Sequence, residues 1–121
     1  MRRVEQLVEI LRSIRFPFLT EEAQIHEIIA NALKEAKLDY THEYKLGTHA
    51  RIDFFVDGVG IEIKKGRVSR AALLVQLRKY AVYDVLCAII VVTQQGISLP
   101  KSICHKPIVS IHMYQSWSVS L

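Results

Sequence analysis

The stretch Arg51-Ile-Asp-Phe-Phe-Val-Asp-Gly-Val-Gly-Ile-Glu-Ile-Lys64 sets two carboxylates and an amine, Asp53, Glu62 and Lys64, around one Asp-Gly turn. If Asp57-Gly58 form a two-residue hairpin loop, Val56 faces Val59, Phe54 faces Ile61, Asp53 faces Glu62, Ile52 faces Ile63 and Arg51 faces Lys64. Alternation then puts the apolar pairs, Ile52 with Ile63 included, on one face, and Arg51, Asp53, Glu62 and Lys64 on the other. Carboxylates directly opposite have β-carbons about 4.5–5.5 Å apart and repel. A hard divalent cation offsets that repulsion, since Mg²⁺ takes oxygen ligands and is held by one or two carboxylates plus substrate phosphate and water. Lys64 would orient or help deprotonate a metal-bound water and steady charge developing on the phosphate. The chemistry expected of such a group is phosphodiester hydrolysis. The plain alternative is a solvated face whose diagonal ion pairs contribute little energy.

Several elements must position these groups. Val4, Leu7, Val8, Leu11 and Ile14 predict a short amphipathic helix ending before Phe16-Pro17-Phe18. Thr20 is the expected N-cap of a second helix, with Ile25, Ile28, Ile29, Ala32, Leu33 and Ala36 on its buried face as far as about Lys37. The period then changes to two, and 40–46, 51–56 and 60–65 read as three strands. Ser69 opens a third helix with Leu73, Leu74, Leu77, Tyr80 and Ala81 on one face, and 85–93 reads as a fully buried strand. Residues 94–106 read as a loop, 108–114 as a last strand and 115–121 as an uninformative tail. The order predicts one α/β domain over 1–121, a mixed sheet flanked by helices.

The chain has 121 residues, with 16 Lys and Arg against 12 Asp and Glu, a net charge of +4. That excess favours an acidic partner without separating nucleic acid from a membrane surface. Its distribution is more informative: Lys64, Lys65, Arg67, Arg70, Arg78 and Lys79 occur with no acid between Lys64 and Lys79. The charged opening segment does not read as a signal peptide, and the longest apolar run, 85–92, falls far short of the roughly 20 residues that span a bilayer. Cys87 and Cys104 lack metal-ligand spacing and fit a reducing compartment, so a cytoplasmic protein is expected.

Asp53 followed by Glu62-Ile63-Lys64 resembles the PD-(D/E)xK nuclease superfamily, which carries an Asp at the end of one strand and Glu-x-Lys on the next. The element order from Thr20 to Thr93 is similar to that superfamily's restriction-endonuclease-like αβββαβ core, and Gly58-Val59-Gly60-Ile61 looks like its approach to the second strand. The Ile-Asp-Phe strand and a Thr-Glu segment also resemble small phage and prophage nucleases. The resemblance implies DNA hydrolysis with Mg²⁺ or Mn²⁺ held by Asp53, Glu62, the carbonyl of Ile63 and a helical acid.

Glu21, Glu22 and Glu27 compete for that helical place. Glu22 extends the buried stripe of Ile25 and Ile29, whereas Glu27 points away from it, so Glu22 is the expected ligand. His26, one turn on, would contact metal-bound water or phosphate, and the RecB-like branch often has a His in this motif. Gln76-Leu77-Arg78-Lys79-Tyr80 looks like the Gln-x-x-x-Tyr helix of RecB-like nucleases, with Gln76 placing water or phosphate and Tyr80 contacting substrate. Arg51, Lys65, Arg67, Arg70, Arg78 and Lys79 would bind DNA phosphates without reading sequence. Two alternatives stay open, a non-catalytic DNA-binding regulator and an RNA-processing nuclease. So small a domain also leaves room for a homodimer through the first helix or the last strand.

Overall fold

The computed structural model describes residues 2–18 and 21–114. Its elements are α1 (Arg2–Ser13), α2 (Glu22–Glu35), β1 (Thr41–Gly47), β2 (Ala50–Val56), β3 (Val59–Lys64), α3 (Arg70–Ala81), β4 (Ala88–Thr93), β5 (Ser102–Ile103) and β6 (Lys106–His112). The strands form one mixed sheet in the order β1-β2-β3-β4-β6-β5. β1, β2 and β3 are antiparallel neighbours, while β3 pairs with β4, and β4 with β6, in parallel. A parallel β3–β4 pair requires a crossover, which α3 supplies.

Helical periodicity decides which layer each helix joins. Val4, Leu7 and Leu11 of α1 and Ile25, Ile29 and Leu33 of α2 are buried against one face of the sheet, with Phe54, Val56, Ile61, Ile63, Ile90 and Val92. Leu73, Leu77, Tyr80 and Ala81 of α3 cover the other face, with Ile52, Ile89 and Val91. β4, covered on both faces, is buried along its whole length. The expected N-cap Thr20 and the tail 115–121 lie outside the described residues. Among those described, Glu21 precedes α2, and its backbone N–H donates to the Gln24 side chain at 3.0 Å. Ser69 caps α3 as expected, accepting from the Ala72 amide at 3.2 Å.

The β2–β3 hairpin has the expected register, Val56 opposite Val59 and Phe54 opposite Ile61. Asp57 and Gly58 both take left-handed conformations, φ +49° and +87°, as a type I′ turn requires. The expected single apolar face is corrected: Phe54 and Val56 join the layer of α1 and α2, but Ile52 joins that of α3. Alternation reverses at Asp53. Across β1 the same reversal occurs at Glu43, whose φ is +55°, between the pairs His42–Phe54 and Tyr44–Ile52. The chain also turns at Val85–Cys87 before β4 begins, so Cys87 is exposed instead of lying inside a strand. The short β5 interrupts the expected loop 94–106.

Candidate active site

The ladder between β2 and β3 runs as far as Phe54–Ile61, and Asp53 sits where it ends. Its side chain takes over the next backbone donor, with Oδ2 accepting from Ile63 N at 2.7 Å. The Asp53 amide in turn donates to Glu62 Oε1 at 3.3 Å. Each carboxylate therefore bonds to the neighbouring strand's turn of the site, which brings the two acids together at one point. Asp53 Oδ1 takes part in none of these bonds.

Glu62 points toward α3, with its residue only 4% exposed. Lys64 Nζ lies 3.3 Å from Glu62 Oε2, and the Tyr80 hydroxyl is 3.4 Å from the same oxygen. That hydroxyl has one proton between Glu62 and the closer Arg51 carbonyl at 3.0 Å, and it accepts from Gln76 Nε2 at 2.8 Å. Burial, then the charge of Asp53, raises the Glu62 pKa to about 7, against the opposing pull of Lys64. Burial also raises Asp53, opposed by the Ile63 hydrogen bond and by His26 and Lys64, while Glu22 adds to the rise. Tyr80 is raised by burial and by the charges of Glu62 and Asp53. Two acids held this way resist sharing two negative charges, which is how metal sites and acid–base sites differ from solvated ion pairs.

On the opposite side of Asp53 stands His26. Its Nε2 is 4.0 Å from Asp53 Oδ2, too far for a hydrogen bond, and is a buried polar atom with no partner. Its Nδ1 is 2.8 Å from Nε2 of His42 on β1, and the His42 ring stacks on Phe54 at 4.6 Å. With Nδ1 carrying the proton toward His42, Nε2 presents a lone pair to the site. Glu22, by contrast, is exposed in the first turn of α2, and among the described residues no hydrogen bond or ion pair joins it to Asp53 or Glu62. Its charge nevertheless reaches Asp53, whose pKa it raises, and the helix's next turn brings His26 beside Phe54, ring centroids 5.7 Å apart. Glu21 and Glu27 are exposed as well.

Lys64 also lines a basic cleft of about 500 Å³ against α3, together with His49, Lys65, Arg67, Lys79 and Gln76. Arg51 is outside it, 3.6 Å from Glu43, and Arg70 bonds the Ser98 carbonyl at 2.7 Å. Arg78 is exposed and does not line the cleft. Tyr80, only 3% exposed, lines the inner wall of the same cleft, with its hydroxyl beside Glu62. Sequence reasoning missed His42. Its only trace in the sequence is a histidine on the strand beside Asp53, which becomes informative once the β1–β2 register is known.

Asp53 and Glu62 offer carboxyl oxygens and His26 Nε2 a buried nitrogen with no hydrogen-bond partner, donor types that a divalent cation takes. Among the described residues no group of three or more His, Cys, Asp and Glu side chains is placed to hold a metal ion. Comparison with family models, curated proteins and solved structures finds no match for this chain.

Proposed function

We propose that this chain is a divalent-metal-dependent deoxyribonuclease with a restriction-endonuclease-like core, in which Asp53, Glu62 and Lys64 do the work. The observation that supports it best is the pairing of half-buried Asp53 with buried Glu62, which contacts Lys64 at the edge of a basic cleft. Asp53, Glu62 and the Ile63 carbonyl would hold Mg²⁺ or Mn²⁺, with His26 in preference to Glu22 at the helical place. An imidazole in the set favours Mn²⁺ over Mg²⁺. The bound ion supplies Lewis-acid polarisation of the phosphate and an acidified water.

The chain's own residues do the rest. Lys65, Arg67 and Lys79 hold backbone phosphates in the cleft, giving binding that is blind to sequence and weakened by salt. Lys64 sets its ammonium against charge developing on the scissile phosphate. Gln76 and Tyr80 fix Glu62, and His42 fixes the ring of His26. No helix among the described residues is long and apolar enough to cross a membrane. Two cysteines outside any disulfide fit a cytoplasmic setting.

The test is cleavage of circular duplex and single-stranded DNA with Mg²⁺ or Mn²⁺. The wild type cuts; Asp53→Asn and Lys64→Ala each lose about a hundredfold or more while melting as the wild type does. Cleavage that survives both changes overturns the assignment. DNA binding with no cleavage would point instead to a non-catalytic DNA-binding protein, and cleavage confined to RNA to an RNA-processing nuclease.

A further inference from the structure

Past Lys65 the basic cleft adjoins a second hollow of about 370 Å³, lined by Phe18, Lys65, Gly66, Gln94, Gln95 and Tyr114. Lys65 lines both, so the two are neighbours near the ends of β3 and β4. Gln94 builds the floor. Its side chain accepts from Gly66 N at 2.6 Å and donates to the Tyr114 hydroxyl at 3.3 Å, tying the exit of β3 to the residues after β6.

On this floor the Phe18 and Tyr114 rings meet with centroids 4.7 Å apart and planes 36° apart. Phe18 nonetheless keeps 58% of its surface exposed. A partly exposed aromatic ring beside a lysine, at the end of a basic cleft, is the combination that stacks a nucleobase while the cation holds the adjoining phosphate. Lys65, Gln94 and Gln95 set polar groups beside the two rings, which suits the mixed apolar and charged surface of a nucleotide. A base that reaches it must have left the duplex stack, because within a duplex both faces of a base already lie on its neighbours.

We propose that the Phe18–Tyr114 hollow is a subsite for an unpaired nucleobase, and that the neighbouring site acts on single-stranded or locally unwound DNA. The proposal rests on the nuclease reading of the adjoining cleft.

Fluorescence anisotropy in EDTA, where nothing is cut, tests it with an oligo-dT strand, the same backbone carrying abasic sites, and a duplex of equal length. The full chain binds oligo-dT about tenfold or more tighter than the abasic strand. Phe18→Ala removes that difference, leaves abasic and duplex binding unchanged, and keeps the wild-type melting temperature; Phe18→Trp preserves the preference. Equal wild-type affinity for the oligo-dT and abasic strands, or a Phe18→Ala loss of equal size on both, overturns the subsite. The metal-dependent cleavage assay is scored separately. Cleavage without base-dependent binding leaves the nuclease standing and removes the subsite, whereas base-dependent binding without cleavage does the reverse.

Discussion

Glu62 is the residue on which the energetics turn. Its pKa in the fold is about 7, above the ordinary 4.5, because burial and Asp53 disfavour its charge. Unfolded chains lose this proton near pH 4.5, but folded ones keep it until about pH 7, so folding binds a proton across that window. The stability due to a neutral Glu62 is therefore full below pH 4.5 and is lost as the pH rises to about 7. Metal-free protein is expected to melt at lower temperature at pH 8 than at pH 5, with Glu62→Gln raising the pH 8 value and flattening the difference. Melting curves with the same pH dependence in both proteins would contradict this. Asp53, Glu62 and Lys64 were legible from their spacing about one turn. The approach of His26 Nε2 to 4.0 Å from Asp53 was not, because it depends on how α2 is laid across the sheet.

At the scale of elements, the local break in β1 and β2 makes the site. A regular hairpin would put Ile52 and Phe54 on one face; the left-handed backbone at Glu43 and the reversal at Asp53 send them to opposite layers. Ile52 then lies over Gly60, where an added Cβ would meet Ile52 Cδ1 at 2.4 Å and Leu86 Cδ2 at 3.0 Å. Gly60→Ala is expected to cost about 1–3 kcal/mol through overpacking in this layer. Urea unfolding measures it, and an unchanged midpoint would show that Ile52 does not need the glycine. Alternating hydrophobicity located these strands but carries no sign of where a strand reverses its faces. β5 escaped for a related reason: its turn uses Cys104 and His105, both at positive φ, in place of the Asn or Gly that marks such turns.

In the whole molecule, two helices cover one face of the mixed sheet and one covers the other. The order of elements was readable because α1 and α2 carry clear apolar stripes, Ser69 marks the start of α3, and β4 is apolar throughout. The basic run after Lys64 was readable too, although only Lys64, Lys65, Arg67 and Lys79 of it face the cleft. Arg70 and Arg78 turn elsewhere, which charge counting could not reveal. On the proposed reading Asp53 and Glu62, crowded together at a cost in stability, jointly hold a divalent ion. Calorimetric titration of Mn²⁺ into the DNA-free protein at pH 8 tests it most directly. Saturable binding by the wild type, weakened about tenfold or more by Asp53→Asn and by Glu62→Gln, is the predicted result; no binding, or binding indifferent to both changes, would contradict the account.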